Sequence, residues 1–404
     1  MKIFILTASP FYGGPERQML ELLKTFRQRH PDINGMIGSF SEKGSCRPFL
    51  EKVAEAGFET IELTSDFPRL IRAKNELHKL LVDHKIDILI TNGHKARGVS
   101  CLLPKSLGIP IITVSRGWTT ENFKIKLFSF VDRMFHRRAD HVIAVSDGQA
   151  AKAIRYGTPL DRISVIRNAI RTDRFDQNPD PSYREKLLAM FPDRAPGTLA
   201  QPATTDISDS LNAAVASAEN IQAKPTFLLG AAGRLSPEKG FDLLIEAVKQ
   251  VRDRSFSVGL VLFGEGFLRE QIEKQIELLG LQNFAILPGF TNELDHYLPH
   301  FDIFVQSSHT EGLPNVLLES MAARTPVVAT CVGGTSEVVD EGLTGLMVPP
   351  GDATKLADAI CQLLSKPDQL PVMGAAARER VQTHFTFENQ ADRYAELLGR
   401  FFKK

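Results

Sequence analysis

Two carboxylates and two cations in the second half of the chain are the residues best suited to chemistry. Glu311 and Glu319 lie eight positions apart in HTEGLPNVLLESMAARTPVVAT, residues 309–330, and Arg234 and Lys239 lie in GRLSPEKGFDLLIEA, residues 233–247. Arginine offers a planar fork for phosphate oxygens and lysine a mobile point charge. Both cations flank a turn containing Pro237, directly after an apolar strand. Ligands of open α/β sheets bind beyond the carboxyl ends of strands, which is where this turn falls. A solvated turn is the alternative, but two cations closing a strand before a glycine favour an anion. Gly312-Leu313-Pro314 then leads into a helix, with proline where its missing N–H costs nothing. Such a helix start presents free amides and the positive end of a dipole, as a diphosphate requires. Glu311 precedes the helix and is placed to meet a hydroxylated ligand. Glu319 falls in the second turn among Leu317, Leu318 and Met321. A carboxylate there is either partly buried with a partner or exposed on the polar face.

A third candidate is FYGGPERQ, residues 11–18, between the first apolar run and the first amphipathic segment. Its glycines allow close approach of backbone to a ligand, although many strand–helix turns need glycine for conformational reasons alone.

The elements that must hold these residues alternate along the chain. Lys2–Thr7 reads as a strand, followed by a helix over Glu16–Arg29 with Met19, Leu22, Leu23 and Phe26 on one stripe. Short apolar runs recur at Ile86–Thr91, Pro110–Val114 and His141–Val145. From Thr226 the alternation restarts with TFLLGAAG, a helix over Phe241–Arg252, SVGLVLFG, a helix over Phe267–Leu279, and FAILPG. This βαβα order predicts an α/β protein with two Rossmann-like parallel sheets, each covered on both faces. Between the halves, residues 193–224 contain no aromatic residue and are rich in Ala, Ser, Thr and Pro. Such a stretch buries little, so a flexible surface insertion is expected. FTFENQADRYAELLGRFFKK reads as a terminal helix.

At 404 residues the chain exceeds one ordinary core, and 43% hydrophobic with 24% charged content is that of a soluble globular protein. Four cysteines without CxxC spacing predict reduced thiols in the cytoplasm rather than disulfides or zinc. MKIFILTASP has an apolar run short of the about 7–15 residues of a signal-peptide core, and Gly13-Gly14 follows. No run reaches the ~20 apolar residues that span a bilayer. Net charge is zero, yet residues 1–175 hold 28 Lys+Arg against 18 Asp+Glu and the remainder 20 against 30. A basic half points to an anionic partner such as a membrane surface or a phosphorylated substrate, unless the asymmetry is only drift in surface charge.

Taken together, GGPER, GRLSPEKG and HTEGLPNVLLESMAARTPVVAT resemble the retaining GT-B glycosyltransferases of glycosyltransferase family 4, whose signature is E-x7-E, here Glu311 and Glu319. VSDGQ at 145–149, VIRNAI at 165–170, LPGF at 287–290 and GGTSEVV at 333–339 agree with it. The resemblance implies a GT-B fold, with two Rossmann-like domains facing a central cleft. Residues 1–175 would form the acceptor domain, 176–225 a linker with the flexible insertion, 226–385 the nucleotide-sugar domain, and 386–404 a helix packing back on the first domain. It implies that Arg234 and Lys239 neutralise the donor diphosphate, that Glu319 binds the ribose hydroxyls, and that Glu311 lies near the donor sugar. Gly312, Leu313, Asn315 and Val316 would contact sugar and phosphate, with Pro314 shaping the turn. Gly14 would close on the diphosphate from the other domain, and Gly289 and Phe290 would lie near the base. The co-substrate implied is a UDP- or GDP-linked sugar, with no metal and no other cofactor. A hydrolase or epimerase on the same fold, or a sugar-nucleotide-binding subunit without catalysis, are the alternatives.

Many relatives carry a histidine where this chain has Ser115-Arg116-Gly117-Trp118. Arg116 is expected either to bind a phosphate or carboxylate or to be a surface arginine. His94, in TNGHKARG, is a second candidate acceptor contact, or an innocent loop residue. Basic and apolar residues interleave in NFKIKLFSFVDRMFHRRADH, residues 122–141, either as a core helix with a basic outer face or as a membrane-facing surface. With the basic half, this favours peripheral association with the inner face of an anionic membrane and a glycan or lipid-linked acceptor, as in lipopolysaccharide biosynthesis. Nucleic acid is not expected, because no reading motif accompanies the charge.

Overall fold

The computed structural model describes residues 1–9, 12–65, 69–116, 138–192 and 224–402. Two parallel sheets organise them. The first holds Lys2–Thr7 (β1), Asn34–Phe40 (β2), Thr60–Leu63 (β3), Ile88–Asn92 (β4), Ile111–Ser115 (β5), His141–Ala144 (β6) and Ile163–Val165 (β7), in the order β3-β2-β1-β4-β5-β6-β7. The second holds Phe227–Ala232 (β8), Val258–Phe263 (β9), Ala285–Gly289 (β10), Ile303–Gln306 (β11), Val327–Thr330 (β12) and Gly345–Val348 (β13), in the order β10-β9-β8-β11-β12-β13. In both, the strand order reverses beside the first strand of the half, the kind of switch point at which open α/β sheets bind ligands.

Burial on both faces explains why the strands read as continuous apolar runs. Ile3, Phe4, Ile5 and Leu6 are all buried, two toward each face. Met19, Leu22, Leu23 and Phe26 of the helix Gly14–Arg29 are buried as their stripe predicts. The strand β2, NGMIGSF, has no comparable apolar run, and packing supplies the reason. A Cβ on Gly38 would lie 2.2 Å from Phe4 Cζ, and one on Gly35 2.3 Å from Leu23 Cδ2. Glycine inside a strand here marks close approach of large neighbours, not a turn. Observed strand ends otherwise differ from the apolar runs by a residue or two.

Two chain crossings join the halves. Ile170, after β7, forms an isolated parallel bridge with Thr386, and its N–H donates to Phe385 O at 2.8 Å. The terminal helix Phe387–Phe401 then lies against the helix Gly14–Arg29, where Tyr394 meets Phe26 edge-on and Asp392 takes Arg29 and His30. One apolar cluster runs through the junction, from Ile3 and Leu23 to Leu317 and Val327. The insertion at 193–224, but for its last residue, and most of the 122–141 cluster lie outside the described residues. Among the described residues, no helix is long and apolar enough to cross a membrane.

Arg378 staples the crossing from beneath. It is 5% exposed, donates to Phe175 O at 2.8 Å and to Ala322 O at 2.7 Å, and pairs with Asp176. Removing the guanidinium strands two carbonyls, each worth about 1–3 kcal/mol when left unsatisfied. Arg378→Ala is therefore expected to lower the free energy of unfolding by about 2–4 kcal/mol, measured by urea denaturation. A loss below experimental error would show that the crossing does not depend on this residue.

Candidate functional site

The carboxyl ends of β8 and β11 bring the two charged motifs of the second half together. After β8 the chain makes a single turn at Pro237–Lys239 and reverses at Gly240, with φ +58°. A Cβ at Gly240 would lie 2.3 Å from Ser307 O, so only glycine lets this turn reach the loop after β11. Two further bonds join turn and loop: Ser307 Oγ donates to Lys239 O at 3.0 Å, and His309 N–H to Glu238 O at 2.8 Å. Lys239 Nζ consequently stands 2.7 Å from Glu311 Oε1, which also accepts from Ser308 Oγ at 2.7 Å. Arg234 reaches back to Glu238 Oε1 at 2.6 Å, yet its side chain remains 59% exposed. A lysine held by a carboxylate and an arginine open to solvent thus share the mouth of one cleft.

Glu319 has its partner in the other half. In the helix Asn315–Ala322 its Oε1 accepts from Arg17 Nη1 at 3.0 Å, and its side chain is 15% exposed. Of the two readings of Glu319, partly buried with a partner is the correct one. Arg17 belongs to the GGPERQ segment, whose start is held by Glu16. That buried carboxylate accepts from Gly13 N–H at 3.0 Å and from Ser9 Oγ. Gly14 opens the first helix and faces Asn315 at the start of the other, where a Cβ would come within 2.8 Å of the Asn315 amide nitrogen. Pro314 and Leu313 are buried behind that start, and Val316 is half-buried. Two helix N-termini therefore converge on one space, each carrying the positive end of its dipole.

At Gly312 the halves meet backbone to backbone. A Cβ on Gly312 would fall 1.9 Å from Arg116 O. The Arg116 guanidinium is not a solvated surface group: Nε donates to Asn92 Oδ1 at 3.1 Å and Nη1 to Asn168 Oδ1 at 3.0 Å. Asn168 Nδ2 passes the connection on to Leu313 O at 3.0 Å and to Asn315 Oδ1 at 2.9 Å. His94 is exposed at the start of a short helix after β4. Gly289 closes β10 with φ +93°, and Phe290 beyond it is 69% exposed.

Several residues at this junction carried no assigned role in the sequence. Besides Asn168 and Arg17, Gln149 Nε2 donates to Glu311 O at 3.3 Å, and Glu337 Oε1 accepts from Asp147 N–H at 2.7 Å. Arg167 pairs with Glu337 at 2.8 Å. All but Arg17 sit in VSDGQ, VIRNAI or GGTSEVV, so the motifs marked the places while the pairings needed coordinates.

Burial pushes Glu319 above its ordinary value of 4.5, with Arg17 and Arg174 opposing. Between 4.5 and the raised folded value, the folded chain holds a proton that the unfolded chain has released. The stability from Glu319 is thus present below that interval and lost as pH rises through it. Glu319→Gln has no such loss. Its urea midpoint should gain on the wild type as pH climbs from the ordinary glutamate range, then hold a constant lead. A difference independent of pH would contradict this account of Glu319.

The family model described as Glycosyltransferase Family 4 matches residues 12–174, and the model described as Glycosyl transferases group 1 matches residues 216–380. The GDP-mannose-dependent alpha-(1-6)-phosphatidylinositol monomannoside mannosyltransferase of Mycobacterium tuberculosis is 34% identical over 249 residues, 59% of this chain and 56% of that protein. The lipopolysaccharide core biosynthesis glycosyltransferase LpsE of Rhizobium meliloti is 36% identical over 167 residues, 41% of this chain and 48% of that protein. The chain spans about half the length of these curated relatives. Among solved structures, Anabaena HepE in complex with UDP-glucose superposes with a TM-score of 0.77 at 23% identity, over 99% of this chain and 100% of that one. The two sheets and the cleft between them are thus those of the GT-B fold, and the chain belongs to glycosyltransferase family 4.

Proposed function

We propose that this chain is a retaining glycosyltransferase that moves a sugar from a UDP- or GDP-linked donor to a glycan or lipid-linked acceptor, in cell-surface polysaccharide or lipopolysaccharide biosynthesis. The observation that carries the reading is the pairing of Lys239 with Glu311 in the loop that opens the helix Asn315–Ala322, with Arg234 exposed in the same turn as Lys239. The relatives supply its direction: one is described as GDP-mannose-dependent and acting on a phosphatidylinositol mannoside, another as a lipopolysaccharide core enzyme.

In this mechanism the bond that breaks joins the anomeric carbon to a phosphate oxygen, and negative charge gathers on the departing diphosphate. Arg234, Lys239 and the first-turn amides of the helix stabilise that charge in place of a metal ion. Glu311 holds Lys239 at the site and meets the donor sugar. Glu319 exchanges Arg17 for the ribose hydroxyls, which releases Arg17 toward the diphosphate. Phe290 offers an exposed ring to the base. Attack from the face of departure retains configuration, with a leaving-phosphate oxygen taking the acceptor proton. The basic half suits a peripheral position on the inner face of an anionic membrane, where a lipid-linked acceptor resides.

Thermal shift against a panel of UDP-, GDP- and ADP-sugars tests the donor, since a ligand at a hundredfold excess over its Kd adds about 2.7 kcal/mol of stability. One nucleotide sugar is expected to raise Tm, and Glu319→Ala to abolish the rise. With that donor, Arg234→Ala should lower turnover about 10²–10³-fold, and a chelator should leave turnover unchanged. NMR of the product should show the anomeric configuration of the donor retained. Turnover of the donor to free sugar at the same rate with and without acceptor would instead assign a hydrolase. No shift with any donor would overturn the reading.

A further inference from the structure

The helix Asp147–Arg155 of the first half is capped from two sides. Ser146 Oγ, just before it, accepts Gln149 N–H at 3.2 Å. The two amides ahead of Gln149 turn to the other half, where Glu337 Oε1 accepts Asp147 N–H at 2.7 Å and Gly148 N–H at 3.3 Å. A helix start leaves such donors orphaned, and a carboxylate also meets the positive end of the dipole. Glu337 Oε2 accepts from Arg167 Nε at 2.8 Å, and the Arg167 fork reaches Asp147 at 2.5 Å. One carboxylate, 13% exposed, thus serves two main-chain amides and a guanidinium of the first half. A glutamine could not do the same, because its amide nitrogen would face either the two N–H groups or the guanidinium.

The backbone that carries Glu337 is itself held. Glu337 lies in the short helix Thr335–Val338, which opens from Gly333-Gly334. Arg380, on the helix Leu370–His384, donates to Glu337 O at 2.9 Å and to Val338 O at 2.6 Å. At the other end Gln306 Nε2, from the close of β11, reaches Thr335 Oγ1 at 3.1 Å.

Gly333-Gly334 fill the space between this cap and the donor residues. A Cβ on Gly334 would lie 2.8 Å from Ser146 Cβ on one side and 2.6 Å from Gly312 O on the other. One on Gly333 would fall 1.9 Å from Glu311 O, and Gly334 N–H donates to Gly312 O at 2.9 Å. Gln149 Nε2, one residue past the capped amides, donates to the same Glu311 O at 3.3 Å. The main chain of Glu311, whose carboxylate holds Lys239, therefore rests on the loop that Glu337 pins to the first half.

We propose that Glu337 is a positioning residue for the transfer step. Docked on the Asp147 and Gly148 amides and on Arg167, it clamps the Gly333-Gly334 loop between the halves and so fixes Glu311 with its lysine. Its carboxylate is taken up by protein donors, so it acts through Glu311 and not on the substrate. The role in transfer rests on the glycosyltransferase reading above, whereas the clamp stands on the contacts alone.

Hydrogen–deuterium exchange and kinetics of Glu337→Gln and Glu337→Ala test the two parts separately. The amides of Asp147, Gly148 and Gly334 should exchange about tenfold faster or more, as loss of bonds to a charged group allows. Those of β8 should keep their wild-type rates, which shows that the sheet is intact. With the nucleotide sugar that raises Tm, donor Kd should stay as in the wild type while kcat falls about 10²-fold, the cost of misplacing a catalytic group. Glu337→Asp keeps the charge on a shorter stem and should fall between wild type and Glu337→Gln in both measurements. Faster exchange at Asp147 and Gly148 with Gly334 unchanged would overturn the proposal, because the loop would then hold Glu311 without Glu337. So would an unchanged kcat, or a kcat lost only in step with donor affinity. If the wild type turns over no nucleotide sugar, the transferase reading falls and the role in transfer with it, while exchange at Gly334 still decides the clamp.

Discussion

One side-chain amide, that of Asn168, holds the two halves in register. Its oxygen takes the Arg116 guanidinium of the first half, and its nitrogen gives to Leu313 O and Asn315 Oδ1 of the second. An asparagine can serve both sides because it carries a donor and an acceptor on one planar group. Around it the backbone approach of Gly312 to Arg116 leaves no room for a side chain, so main chain shapes the junction there. Amides and carbonyls there keep fixed directions, which suits a site that must present charge without reorganising.

The charge asymmetry between the halves has an internal use. Arg17, Arg29, Arg167 and Arg174 of the basic half pair with Glu319, Asp392, Glu337 and Asp295 of the acidic half. Part of the asymmetry thus works across the junction, in addition to any anionic partner outside. Pairs of this exposure contribute little to stability individually, commonly about 0–1 kcal/mol. Their value lies in orientation: Arg17 with Glu319 and Arg167 with Glu337 fix side chains beside the cleft, where a pair can be exchanged for ligand groups at small cost.

The alternation of strand and helix was legible along most of the chain because buried parallel strands leave long apolar runs. It failed at β2, where Gly35 and Gly38 stand in for apolar residues because Leu23 and Phe4 fill the space. Glu319 escaped local pattern too: taken alone it read as a solvated helix glutamate, because its partner Arg17 lies 302 residues away. The two cations and the E-x7-E spacing could be found by type and position. Arg116 could not be resolved, since Asn92 and Asn168, its partners, lie 24 and 52 residues away in sequence.

Sequence by itself determined the elements, the two-sheet plan and the places of Arg234, Lys239, Glu311 and Glu319. Periodicity and turn chemistry are local, acting over a few residues. Tertiary structure alone decided which charges meet: Arg17 with Glu319 across 302 positions, Lys239 with Glu311 across 72, and Arg167 with Glu337 across 170. Electrostatic and hydrogen-bond partners are chosen by distance in space, and that distance is set only when both sheets have closed on their shared core.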